Sequence, residues 1–434
     1  MAAAVTLLLK STPGPRRQAS GGAARADAWV LAGLVAATFL SLLHYLAFSP
    51  LLPAIAADLV LDIGQLGQMP AAIGLGAAAF GLVAGPFADR YGKRRTLLMG
   101  LTALVASAAG LAFLPGPAML PLVAVLAGIG RAIVYPLSLA IASAEYEGDN
   151  QIRAVSRITS SLGIAPIVGV PLVASIAAAF DWRAAWLALA IVTALAHLCL
   201  WQVFRAQPPR AARTGPRPAT PNVAAAYGLL IRHKPSVALL GGTFMMGAGG
   251  WTVWTYLGAF VVQRHGFTTQ EAGWAWVVVG LGLFAGSFLT GGKLGGLRLD
   301  AVFGVAAVGA GLCLGLAFVL PISGWLAVGL VGAGTLLHAA TQVVTATSLP
   351  HGAPTGRATT MTVRGAASSL GAGAGAAAGG LLLQGADFAT LGAGAFACCA
   401  IAAALVWWGR TSTASATEHH AALVFPDLEA RPAA

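Results

Sequence analysis

Long apolar runs, separated by short stretches that hold almost all the charge, constrain this chain more than any other feature. A helix needs ~20 mostly apolar residues to cross ~30 Å of hydrocarbon. Counting runs between polar or Pro/Gly breaks gives twelve of them, at 29–56, 65–88, 96–114, 119–143, 153–179 and 183–204, then at 236–262, 270–292, 299–320, 323–347, 357–384 and 387–409. Charged residues make up only 9% of the 434, against ~25% in soluble domains, so a water-soluble surface over these runs is excluded. The expected fold class is an all-α membrane protein with twelve transmembrane helices in two six-helix pseudo-symmetric halves. The expected boundaries are a cytoplasmic disordered tail 1–28, an N-terminal half 29–204, a basic linker 205–235, a C-terminal half 236–409 and a cytoplasmic tail 410–434. The linker holds Pro208, Pro209, Pro216, Pro218 and Pro221, and its 224–231 end suits a short surface helix. The run Val5 to Leu9 is too short for the core of a signal peptide.

Lys and Arg set the orientation. With the N-terminus in the cytoplasm and twelve crossings, 22 of the 25 basic residues fall on the cytoplasmic side. Only Arg183 and Arg264 fall outside, and Arg131 is left within a span. That split follows the positive-inside rule and is scrambled by adding or removing one span. The expected location is the cytoplasmic (inner) membrane with both termini inside.

The halves echo each other. At an offset of 206, Gly67, Gly74, Leu75, Gly76, Ala79 and Gly85 match Gly273, Gly280, Leu281, Gly282, Ala285 and Gly291. Ser160-Ser161-Leu162-Gly163 recurs as Ser368-Ser369-Leu370-Gly371 at an offset of 208. Internal repeats of this kind let transporters build a midplane site that opens from either side.

Several chemistries find no support. The net charge of +11 is interleaved with apolar runs rather than gathered in a patch, which argues against nucleic acid as a partner. Cys199, Cys313, Cys398 and Cys399 lie in apolar runs without metal or redox spacing. There is no phosphate-binding G-x-x-x-x-G-K-[ST] loop, metal cluster or nucleophile constellation, so neither an enzyme nor a cofactor is expected.

The most specific motif is Gly85-Pro86-Phe87-Ala88-Asp89-Arg90-Tyr91-Gly92-Lys93-Arg94-Arg95, between the second and third spans. Gly85 suits close helix approach, Gly92 suits a tight turn, and Asp89 suits pairing with a cation or helix N-terminus. The segment resembles the G-x-x-x-D-R-x-G-R/K-R signature of the major facilitator superfamily. The resemblance implies a cytoplasmic gate latch formed by Gly85, Asp89, Arg90, Gly92, Lys93 and Arg94. In the matching loop of the second half Gly295 stands where the acid would be, so the latch is expected to be one-sided. Leu52-Pro53-Ala54-Ile55-Ala56 with Asp58-Leu59, and Asp181-Trp182-Arg183, resemble two further motifs of the superfamily. Gly163, Pro166, Gly169 and Pro171 in the fifth span resemble the helix-bending motif of its drug/proton antiporter, or efflux, branch.

Arg131 resembles the span-four arginine of the family, with Tyr135-Pro136 where a glycine is usual. A charge at mid-bilayer faces a cavity or a partner. None of the 14 acids lies mid-span, so His44 and His338 are the candidate proton carriers. Trp251 and Trp254 share a helix face and suit an apolar binding cavity. The resulting expectation is proton-coupled export of a small organic molecule by a monomeric carrier whose other partner is membrane lipid. An importer or facilitator of the same superfamily, and a transport-inactive sensor on the same fold, are the alternatives.

Overall fold

The computed structural model describes residues 21–146, 148–206, 223–291, 298–352 and 357–424. All secondary structure in these residues is helical, as lipid demands of a chain that must satisfy its own backbone. In chain order the helices are α1 (Gly21–Leu46), α2 (Phe48–Leu59), α3 (Ile63–Leu66), α4 (Gln68–Tyr91), α5 (Lys93–Ala112), α6 (Leu120–Glu145), α7 (Gly148–Ile164), α8 (Val170–Ala179) and α9 (Trp182–Ala206). After the segment 207–222, which lies outside the described residues, come α10 (Val223–Arg232), α11 (Lys234–Trp254), α12 (Leu257–His265), α13 (Thr269–Gly291), α14 (Leu299–Val319), α15 (Gly324–Gly352), α16 (Arg357–Gly385) and α17 (Phe388–Val424). Among the described residues, ten stretches are long and apolar enough to cross a membrane. Helix α10 sits where the sequence suited a surface helix. The outermost helices reach beyond the apolar runs, back to Gly21 and on to Val424, into stretches read from the sequence as tails. Both extensions are Ala-rich and free of proline until Pro426, so nothing breaks the helix there.

Breaks within the long helices have identifiable causes. Between α1 and α2, Pro50 cannot donate the backbone bond to Leu46 that would carry the helix on. Between α11 and α12 the wedge is a side chain from the other break. The Ser49 hydroxyl donates to the Trp254 carbonyl (2.8 Å) and accepts from the Gly258 N–H (3.2 Å), so it occupies the place of the Gly258–Trp254 helix bond. The two breaks are 208 residues apart, like the Ser-Ser-Leu-Gly repeat. Ala165–Gly169 forms a π-turn between α7 and α8, where Pro166 and Pro171 remove two donors from the ladder. There a Cβ on Gly169 would collide with Leu43 and Phe39.

Helices before residue 207 pack mainly on one another, as do those after 222. The two sets meet through α4 on α16, and through α8 and the π-turn on α13. Of these, α4, α13 and α16 carry the sequence repeats. Glycine lets their backbones approach: a Cβ on Gly74 would meet the Gly373 backbone, and one on Gly280 would meet Ile167 and Pro166.

The core has three parts. The largest joins both sets, with Tyr45, Phe48, Leu51, Trp186, Trp254, Tyr256, Phe260 and Phe318 buried together. Toward the end that carries Arg90 to Arg95 the core divides. Leu97, Leu101, Val134, Ile141 and Ile158 form a core within the first set. Met246, Phe303, Val344 and Val406 form another within the second. Ser49–Trp254, Ser49–Gly258 and Gln68–Ala377 hydrogen bonds join the sets on the fused side.

Candidate functional site

At the divided end, Gly92 turns the chain from α4 into α5 with φ of 91°, a conformation that glycine adopts without strain. The turn places Lys93, Arg94 and Arg95 in the first turn of α5. Arg94 donates through Nε and Nη2 to Glu145 at the end of α6, at 2.8 and 2.6 Å. Arg90 and Lys93 are exposed, and Arg90 lies 5.6 Å from the Tyr91 ring centre. The side chain of Asp89 lies outside the described residues, as do Lys293 and Gly295 of the matching loop. The close helix approach expected at Gly85 is not made among the described residues, where a Cβ on it would meet nothing within 4 Å, as befits the end at which the two sets divide. Gly163 likewise borders open space.

At the fused end two of the motifs meet. Arg183 pairs with Asp58 at 2.7 Å while stacking 4.2 Å from the Trp182 ring centre. Asp181 caps the start of α9 by accepting from the Ala184 N–H.

Between the two ends, side chains from both sets form one continuous series. The Arg131 guanidinium lies 4.1 Å from the ring centre of Tyr45. Tyr45 meets Trp251 edge-on at 4.4 Å, and Trp251 meets Trp254 at 5.5 Å, which joins α1 to α11. The Trp254 ring stands edge-on to His338 at 4.8 Å, and its Nε1–H donates to Thr335. His338 Nε2 faces the Gln342 amide nitrogen at 3.3 Å. Arg364 holds the far side of that amide, donating to Gln342 Oε1 (2.8 Å), to Gln342 O (2.9 Å) and to Thr345 Oγ1 (3.1 Å). Tyr135, one turn beyond Arg131 on α6, lies within electrostatic reach of Arg364. Tyr45, Trp254 and His338 are buried, whereas Arg131, Tyr135, Trp251 and Arg364 are half-buried.

Two residues have surroundings that a linear reading of the sequence does not give. Arg364, counted with the cytoplasmic cations, lies on α16 inside the apolar stretch Thr360–Gly385 and points back to α15. An arginine near a span end looks the same in a linear charge count whichever way it faces. His44 stands apart from the series. Its Nδ1 pairs with Leu40 O at 2.8 Å, and its ring packs 6.2 Å from Trp186. Its neighbour Tyr45 is the residue that reaches Trp251. The only signal for Tyr45 in the sequence was its place one residue from a suspected histidine.

The amide of Gln342 has a defined direction. Arginine only donates, so the amide oxygen must face Arg364 and the NH₂ must face His338. His338 Nε2 is therefore the acceptor and carries no proton, which puts the ring hydrogen on Nδ1. That atom is buried without a hydrogen-bond partner among the described residues. A second proton at Nε2 would set donor against donor unless the Gln342 amide turned over, and turning it would take Oε1 away from Arg364.

The family model described as Major Facilitator Superfamily matches residues 34–362. Among curated proteins the chain is similar to an uncharacterized MFS-type transporter, YceJ, of Bacillus subtilis, at 26% identity over 56% of this chain and 60% of that protein. It is also similar to a chloramphenicol resistance protein of Streptomyces lividans, at 28% identity over 59% of this chain and 64% of that protein. The chain thus spans less than two thirds of the length of these relatives. Among solved structures, a bacterial homolog of the human lysosomal transporter Spinster, inward-facing and occupied, matches with a TM-score of 0.73 at 18% identity, covering 89% of this chain and 97% of that one. A peptide transporter POT in complex with sulfate matches with a TM-score of 0.70, also at 18% identity, over 89% and 94%. At that identity the likeness is one of fold.

Proposed function

The chain belongs to the Major Facilitator Superfamily, and from that premise we propose that it exports a small organic molecule by alternating access, driven by protons. The observation that carries this reading is the core that is joined at one end and divided at the other, with the Arg131-to-Arg364 series bridging the two helix sets between them. In this reading there are twelve spans, the ten apolar stretches together with α4 and the broken α11–α12 pair, arranged as two halves. The Lys/Arg distribution supports a divided end that faces the cytoplasm from a bacterial inner membrane, and on this reading the carrier is inward-open. Rocking one half against the other would close that end and separate Ser49 from Trp254.

Asp89, Arg90 and Gly92 belong to the latch that steadies the cytoplasmic side, with Arg94–Glu145 anchoring its basic run. Export is favoured over import by the Gly163, Pro166, Gly169, Pro171 pattern and by the similarity to a protein named for chloramphenicol resistance. His338 carries the proton: uptake at Nε2 turns the Gln342 amide and takes Oε1 from Arg364, which is left on Gln342 O and Thr345 and so held less firmly beside Tyr135 of the first half. Arg131, Tyr135, Trp251 and Trp254 contact the solute.

The test is transport in proteoliposomes under an imposed pH gradient, with proton movement followed as solute is added. Proton movement driven by solute in wild type and lost in His338→Gln supports the reading. Equal movement in His338→Gln removes His338 as carrier. Transport with no proton movement in wild type removes the coupling and leaves a facilitator.

A further inference from the structure

The interior series holds two arginines and no acid. Among the described residues Arg131 makes no hydrogen bond or ion pair, and its guanidinium has only the Tyr45 ring beneath it, 4.1 Å away. Arg364 gives its donors to neutral groups alone, Gln342 and Thr345. The described acids, including Asp58, Glu145, Asp181, Glu271, Asp300 and Asp387, lie toward helix ends. An arginine within a bilayer is costly and normally faces a partner or a water-filled cavity. Arg131, eleven residues into a 26-residue helix, keeps part of its surface exposed and has no anionic partner among the described residues.

A second observation points the same way. The Tyr45 hydroxyl is buried without a hydrogen-bond partner, in a residue only 3% exposed and within electrostatic reach of Arg131. A buried donor without an acceptor is destabilising unless something else fills the role. Beside it, Trp251 and Trp254 stand perpendicular to each other at 5.5 Å and offer an apolar corner to a flat body.

Resting on the transporter reading, we propose that the carried solute is an organic anion: an oxyanion group on a flat apolar body. The oxyanion accepts from Arg131 and the Tyr45 hydroxyl, and the body lies against Trp251 and Trp254. A guanidinium fork suits a planar carboxylate, which it can bind through two parallel N–H groups. The second cation at Arg364 raises the local positive potential and disfavours organic cations.

The experiment is equilibrium dialysis of the full chain in lipid nanodiscs against three probes that share one ring system: 2-naphthoate, the neutral 2-naphthamide and the cation 2-naphthylmethylammonium. Naphthoate should bind at least about tenfold more tightly than either of the others. Arg131→Gln should remove that preference, and Arg131→Lys should retain part of it. A thermal unfolding midpoint within a few degrees of wild type, with about the same yield in nanodiscs, shows that the variant is folded. Failure to bind naphthoate, binding of the three probes with equal strength, or an unaltered preference in Arg131→Gln overturns the proposal. A chain that carries a neutral or cationic compound in vesicles yet ignores naphthoate loses this inference and keeps the transport reading. A chain that prefers naphthoate and moves no solute keeps the anion site and loses the transport reading.

Discussion

Replacing Ser49 with alanine should loosen the contact between the first and second helix sets at the fused end. The hydroxyl serves two buried backbone groups at once, the Trp254 carbonyl at 2.8 Å and the Gly258 N–H at 3.2 Å. Each group left unsatisfied costs ~1–3 kcal/mol. Part of that loss is recovered if α11 and α12 straighten enough to form the Gly258–Trp254 helix bond themselves. A net destabilisation of the joined state of ~2–3 kcal/mol follows, or roughly 30- to 150-fold in its population against the separated one. Hydrogen–deuterium exchange of the segment Thr252–Phe260 measures this, because the Gly258 amide is protected by a side chain 209 residues away. Ser49→Ala should speed exchange there by about that factor, leave α14 unchanged, and be largely corrected in Ser49→Thr. Exchange within about threefold of wild type would show that the hydroxyl fills the break without holding the sets together.

Three further outcomes are expected. Asp89→Asn should leave the protein folded in the membrane and cut transport sharply, and wild-type rates in a well-expressed variant would remove Asp89 from the latch. Arg298→Ala should slow transport less than Arg90→Ala, because the second-half loop has no acid at Gly295; equal losses would mean that both halves latch alike. Gln342→Met keeps the side-chain volume but abolishes the amide between His338 and Arg364, so solute-driven proton movement should fall by about tenfold or more while His44→Gln stays near wild type. The reverse ranking would return the coupling role to His44.

How far the sequence could be read depended on whether the information was linear. Span positions, the turn at Gly92 and the bend at Pro166–Pro171 follow from apolar length and from residues with special backbones, and the helices fall close to where they were expected. The facing of side chains is another matter. Helices that are apolar all round, such as α11 and α13, show no polar stripe that tells interior from lipid. His44 and Tyr45 are adjacent in the chain and point to different neighbours, Trp186 and Trp251. Ser49 had no distinguishing feature at all, because its role depends on a partner brought close only by the fold. Arg131 was conspicuous as a lone charge, whereas Arg364 was hidden by its nearness to a basic span end.

The glycine-lined seams between the two helix sets have a mechanical meaning. Ordinary cores interlock through side-chain knobs, so one surface can move over another only by jumping between discrete fits. At Gly74 against Gly373, and at Gly280 against Ile167 and Pro166, at least one of the two surfaces is bare backbone. Such a seam behaves as a bearing: a few degrees of roll change the contact without lifting any knob from its hole. Friction, in the sense of barriers along the motion, is then set by the polar closures at the rims rather than by the axle. A leucine at Gly74 or Gly280 would have to displace the Gly373 backbone or the packed Ile167 and Pro166 side chains, so the bearing would jam or part rather than roll.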